Sequence, residues 1–109
     1  MIDVKWTIPA LDDLKAIRDY IARDSSYYAQ KVVDEAFDKT DKLSEFPNMG
    51  RKVPEENDPT IRELIHYSYR IIYQVHKTHV NILTIIHGKR EYISPEGAEY
   101  LDDNGTGDI

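Results

Sequence analysis

Five side chains near one end of a predicted hairpin could do chemistry together: Arg70, His87, Lys89, Arg90 and Tyr92. Metal-free cleavage of RNA needs a base for the ribose 2′-OH, cations on the scissile phosphate and an acid for the leaving oxygen. Arg70 and Arg90 would be the cations, and His87 or Tyr92 the proton carriers. Glu63, from the neighbouring strand, projects into the same region and would cancel the pull of Arg70 on phosphate if the two paired. Glu91 is a second potential partner for Arg70. Other chemistries find less to work with. The chain has no cysteine, so it has no thiol nucleophile, thiolate metal site or disulfide framework. Neither GxGxxG nor a P-loop occurs. His76 and His79 straddle a predicted turn instead of sharing a helix face, so no metal site is expected, and no cofactor either. Glu55-Glu56 and Asp102-Asp103 fall in loop and tail and are read as solvated.

The elements that must position these groups follow from periodicity. Tyr69 to His76 and His79 to His87 are β-branched, apolar runs joined at Lys77-Thr78, the pattern of a β-hairpin. A turn there sets Arg70 opposite about residue 85, with Arg90 just beyond that end. Ile61 to His66 reads as a further strand, with Tyr67-Ser68 as its turn into the hairpin. Upstream, Ile2, Val4 and Trp6 alternate with Asp3 and Lys5 as a short half-buried strand. Thr7 is a helix N-cap with Pro9 in the first turn, and Asp12 and Asp13 suit the positive end of the helix dipole. Leu11, Leu14, Ile17 and Ile21 make the apolar stripe of this first helix, which ends near Asp24-Ser25-Ser26. A second amphipathic helix runs from about Tyr27 to Phe46 on Ala29, Val32, Val33, Ala36, Phe37, Thr40 and Leu43, and Pro47 stops it.

Residues 47–60 hold three prolines and a glycine, which predicts a loop with no regular element. Ser94 and Pro95 open a short helix through Leu101, and residues 102–109 make a disordered acidic tail. The expectation is one domain over residues 1–101. It is α+β, of order β-α-α-β-β-β, with a helical hairpin packed on an antiparallel sheet. In the last strand Val80, Ile82 and Ile86 are assigned to one side and Leu83 and Ile85 to the other. That makes the strand central and covered on both faces, with the second face awaiting a partner.

Charge is unevenly spread along these elements. Residues 47–90 carry seven Lys/Arg against four Asp/Glu, whereas residues 91–109 carry six acids and no Lys or Arg, and the whole chain is −6. An acidic whole argues against non-specific nucleic-acid binding, while a basic sheet end leaves room for one focused anionic contact. Local pairing of charges on a solvated surface is the simpler reading. The first residues lack the charged and apolar regions of a signal peptide, and no run is long enough to span a bilayer, so a cytoplasmic location is expected. An acidic helical hairpin beside a partly uncovered sheet also offers a groove for an amphipathic segment of a partner.

Several motifs together resemble one family. Leu14-Lys15-Ala16-Ile17 with Tyr20-Ile21, Leu43 to Arg51 (with Phe46-Pro47 and Gly50-Arg51), Ile61-Arg62-Glu63-Leu64, Tyr69 to Val75, and Ile85 to Arg90 are similar to the RelE/ParE toxin superfamily of type II toxin–antitoxin systems. The resemblance runs from about residue 2 to residue 92 and implies the same element order. It also implies a cognate antitoxin as partner. RelE-like members are ribosome-dependent mRNA endonucleases. Their working residues include lysines at the positions of Ile61 and Glu63, the arginines matched by Arg70 and Arg90, and a tyrosine whose position falls at Glu96. The Phe-Pro-x-x-Gly-Arg and Ile-Arg-Glu motifs look like the ParE branch (plasmid stabilization proteins), which is associated with inhibition of DNA gyrase. The resemblance therefore implies a target-binding toxin using Arg70, Lys89 and Arg90. A ribosome-dependent mRNA endonuclease using Arg70, Arg90, His87 and Tyr92 is the alternative, and a non-toxic degenerate binding module is the second.

Overall fold

The computed structural model describes residues 1–93; the short helix and acidic tail expected after residue 93 lie outside the described residues. The chain forms β1 (Asp3–Trp6), α1 (Ile8–Ala22), α2 (Ser26–Asp41) with a 3-10 turn (Lys42–Ser44), β2 (Arg51–Lys52), β3 (Ile61–His66), β4 (Tyr69–Val75) and β5 (His79–His87). The five strands make one sheet of order β1-β5-β4-β3-β2. β2 to β5 are an antiparallel meander, and β1 pairs parallel with β5, Val4 against Val80. The sheet is thus mixed where a wholly antiparallel one was expected: the long connection from β1 to β5 allows the crossover that a parallel pair needs. β2 also corrects the expectation of an irregular 47–60 segment. It is two residues long, too short for periodicity to register.

Local chemistry explains the elements. The Thr7 side chain caps α1 by accepting the Ala10 N–H, and its hydroxyl donates to the Ile82 carbonyl at 2.7 Å, joining helix start to sheet. Ser25 caps α2 by accepting the Tyr28 N–H at 3.1 Å. The α-helical part of α2 stops at Asp41, earlier than the apolar spacing suggests. The 3-10 turn then buries Leu43 completely and leaves Phe46 exposed. On α1 the core positions are Ala10 and Leu14; Leu11 stays more than 40% exposed, at the seam with Val33 and Phe37.

The helical layer covers one sheet face. Ala10, Leu14, Ala36, Leu43, Leu64, Ile71, Tyr73, Val80, Ile82 and Ile85 form that core. On the other face Val53, Ile61, Ile72 and Tyr92 cluster with Leu83 and Ile86. The placement of Ile85 and Ile86 reverses the simple alternation of β5. Tyr73 pairs with Ile82 but Ile72 with Thr84, so Leu83 is an extra residue, a β-bulge that switches the parity of everything after it. Arg70 consequently faces Ile86, not residue 85. Asp13, which lies past the first turn of α1, holds this irregularity: its carboxylate accepts the Ile85 N–H at 3.1 Å and the Thr84 hydroxyl.

Candidate functional site

The site lies on the sheet face away from the helices, where β2, β3 and β4 meet the segment after β5. Its floor is set by register. Arg70 on β4 stands opposite Ile65 on β3, so Glu63, two residues along, is its diagonal neighbour on the same face. Arg51 on β2 stands opposite Glu63. A clasp fixes β2: the Tyr73 hydroxyl donates to the Pro47 carbonyl and accepts the Gly50 N–H, both at 2.9 Å. Burial pushes the Tyr73 hydroxyl pKa up, which keeps the donor protonated. Gly50 leaves no room for more, since a Cβ there would come within 2.5 Å of the Glu63 carbonyl and 2.6 Å of the Tyr73 hydroxyl. The Phe-Pro-x-x-Gly-Arg stretch is therefore the brace that delivers Arg51 to Glu63.

These side chains form one chain of ion pairs. Glu63, its side chain fully buried, receives Arg70 Nε at 2.6 Å on one oxygen and Arg51 Nε on the other. Arg70 is itself 5% exposed. Its Nη1 and Nη2 donate to the two oxygens of Glu55 at 2.8 Å each, and Nη1 also reaches the Arg90 carbonyl at 2.8 Å. The Tyr92 N–H donates to Glu55 at 2.9 Å. The Arg70 hydrogen bonds hold the Glu55 carboxyl down to about 2, and the same contacts raise the Arg70 pKa despite burial. Two arginines against two glutamates leave the cluster neutral.

The candidate residues thus come together unequally. Arg70 is central and saturated. Arg90 supplies its carbonyl to Arg70, while its side chain and that of Lys89 are exposed and make no ion pair among the described residues. His87 is exposed at the strand end, where Nδ1 accepts the Lys89 N–H at 3.2 Å and the ring meets Tyr69 edge-on. Tyr92 is 6% exposed and packs into the second cluster beside Val53, Ile61 and Ile72, so its ring serves the core. Lys89, Gly88, His87 and Arg51 wall a groove of about 400 Å³ with Tyr67, Ser68 and Tyr69. Glu91 does not pair with Arg70; Glu55 does. Glu55 was the residue that sequence reasoning missed, because a carboxylate in an irregular segment carries no periodic signal. His76 and His79 stack at 4.7 Å across the β4–β5 turn, and among the described residues no three His, Asp or Glu converge as a metal-binding group. No helix among those residues is long and apolar enough to cross a membrane.

This architecture recurs in known proteins. The family described as the ParE toxin of the type II toxin–antitoxin system parDE matches residues 4–92. The chain belongs to the ParE toxin family. Within the broader RelE/ParE toxin superfamily, it is 40% identical over 91 residues to Toxin RelE2 of Caulobacter vibrioides, covering 83% of this chain and 99% of that one. The chromosomal ParDE system of P. aeruginosa contains a chain of the same fold, with TM-score 0.66 and 28% identity over 80% of this chain and 96% of that one. The fold also matches a chain of the RelBE2 toxin–antitoxin complex of Mycobacterium tuberculosis, with TM-score 0.51, 24% identity, and 79% and 90% of the two chains covered. The chain is accordingly the toxin of a type II toxin–antitoxin system.

Proposed function

We propose that this ParE-family toxin arrests growth by binding a protein target in the cytoplasm, DNA gyrase, and that a cognate antitoxin neutralises it. The saturation of Arg70 carries the reading. A phosphate-cleaving site needs its cations aimed at the place where charge develops. Here the buried guanidinium is spent on Glu63 and Glu55, and the position of a potential catalytic lysine is Glu63 itself. Tyr92, the candidate proton carrier after β5, is packed into the core. What remains exposed beside a shallow groove is Lys89 and Arg90 with Glu91, a rim of net positive charge that suits recognition of an acidic surface. Purified toxin titrated into a gyrase supercoiling assay tests this; supercoiling that persists at every concentration refutes the target.

One observation favours a second reading. The Caulobacter relative at 40% identity bears the name Toxin RelE2, which keeps ribosome-dependent mRNA cleavage in contention. Transcript ends mapped after induction without antitoxin separate the two: gyrase inhibition predicts intact messages, and cleavage on translating ribosomes predicts new ends. Unimpaired growth on that induction would leave a non-toxic binding module.

A further inference from the structure

The outer edge of the Arg70 guanidinium faces a groove lined by Arg51, Pro54, Gly88, Lys89, Arg90 and Glu91, three cations against one free carboxylate, and the group seated on that edge is the chain's own Glu55. Three donors converge on that single carboxylate: Nη1 and Nη2 at 2.8 Å each and the Tyr92 N–H at 2.9 Å. The seat itself is rigid. Arg70 is held from behind by Glu63 and from the side by the Arg90 carbonyl, and Tyr92 is buried. Its occupant belongs to a different segment. Glu55 comes from the irregular stretch between β2 and β3, anchored at Val53 (1% exposed), and its own side chain is 20% exposed at the groove mouth. Such a geometry is a preformed anion site filled by a tethered ligand.

We propose that Glu55 is an exchangeable occupant of this seat, displaced when the toxin's protein target inserts an Asp or Glu side chain onto Arg70 and the Tyr92 N–H. The proposal rests on the reading of the toxin as a binder of a protein. A carboxylate fits better than a phosphate for two reasons visible in the site. The donors serve two oxygens only, which matches a carboxylate and leaves the further oxygens of a phosphate without a partner in the seat. The Glu63 carboxylate against Nε also places a negative charge beside the seat, which penalises a dianion more than a monoanion. Exchange replaces one charge-assisted set of hydrogen bonds by an equivalent set, so its net cost is small. It also adds attraction, because the incoming acidic segment meets Lys89 and Arg90, which Glu55 leaves unpaired. Since the Glu55 carboxyl is held near 2, the seat is filled by a charged group throughout the neutral range, and exchange responds to the target, not to protons.

Removing the tethered competitor should expose the seat. In full-length Glu55→Ala, acetate is expected to raise Tm and to move the Tyr92 N–H and Arg70 Nε–H resonances saturably. Phosphate at matched ionic strength does less, and wild type responds to neither. Glu55→Gln, which keeps the side-chain shape, supports the same titration if the alanine variant does not fold. Where the open seat is populated less than one time in ten, removal of Glu55 strengthens binding at least about tenfold, so Glu55→Gln is expected to halve gyrase supercoiling at a concentration about tenfold lower. Tighter saturation by phosphate than by acetate, or equal responses in wild type and variants, overturns the seat. Unchanged potency against gyrase alongside a responsive seat overturns the exchange. If wild type does not inhibit gyrase at all, the functional reading falls while the acetate titration still decides the seat.

Discussion

Replacing Arg70 by methionine isolates the energetics of the buried ion pairs. The side chain is 6% exposed, and that of its partner Glu63 is 0% exposed. Arg70→Met keeps the bulk of the stem but strands Glu63 with one partner, the largely solvent-exposed Arg51. Breaking a buried pair from one side costs roughly 3–5 kcal/mol, because an uncompensated charge stays in the interior. The remaining Arg51 contact puts the expected loss near the lower end, about 3 kcal/mol. For a domain of this length total stability is on the order of 5–15 kcal/mol, so the variant should unfold at visibly lower urea. The companion Arg70→Met/Glu63→Leu removes both buried charges. Swapping a buried pair for apolar side chains is often neutral or better, and the flanking Ile61 and Ile72 on that face supply apolar neighbours. The double variant should therefore regain the part of the loss owed to Glu63, while the Arg70–Glu55 contribution stays lost in both. Urea titrations followed by circular dichroism read both values. A single-variant loss below about 1 kcal/mol, or a double variant no better than the single, would refute the account of Glu63 as a desolvated charge dependent on Arg70.

Three further outcomes follow from the same contacts. Glu55 has a folded pKa of about 2 against an ordinary value of 4.5; the lowered pKa means its contribution is full above 4.5 and is lost as pH falls toward 2. The loss is on the order of 2–3 kcal/mol, and acid titration of Glu55→Gln should show a correspondingly shallower slope in that window. Tyr73→Phe removes the clasp on Pro47 and leaves the Gly50 N–H without its acceptor, at a cost of roughly 1–3 kcal/mol in denaturant titration. Arg90→Ala cuts an exposed side chain whose backbone carbonyl does the structural work, so stability should change by less than about 0.5 kcal/mol. Growth arrest on induction should disappear in the same variant; arrest at wild-type strength would remove the basic rim from the mechanism.

The meander was legible because β-branched runs and short turns are local signals: β3, β4 and β5 fall where Ile61, Tyr69 and His79 begin apolar runs. The Arg70–Glu63 pair was legible for the same reason, since one hairpin register fixes which residues share a face. The parallel partnership of β1 with β5 was not, because nothing near Val4 encodes contact with Val80. The bulge at Leu83 escaped too: it depends on Asp13, a residue on α1 that caps the disturbed strand from outside. Glu55 gives no signal in the sequence because its position is set by anchors on either side, Gly50 against Tyr73 and Val53 in the second cluster, and not by any pattern in its own neighbours. Candidate sites built from strands could be placed in advance; the one group brought in by an irregular segment could not.

The pairing of β1 with β5 has a consequence for how the toxin comes into being. Among the described residues, β1 finds its neighbour only when β5, more than seventy residues later, has been made, and the stripe of α1 is covered by that same strand. Contacts so distant in sequence form late and slowly. A nascent chain lacking His79–His87 has neither the strand that joins β1 to the meander nor the Arg90 carbonyl and Tyr92 N–H that complete the Arg70 cluster. The Arg70 cluster therefore closes only after β5 and the residues that follow it have joined the sheet.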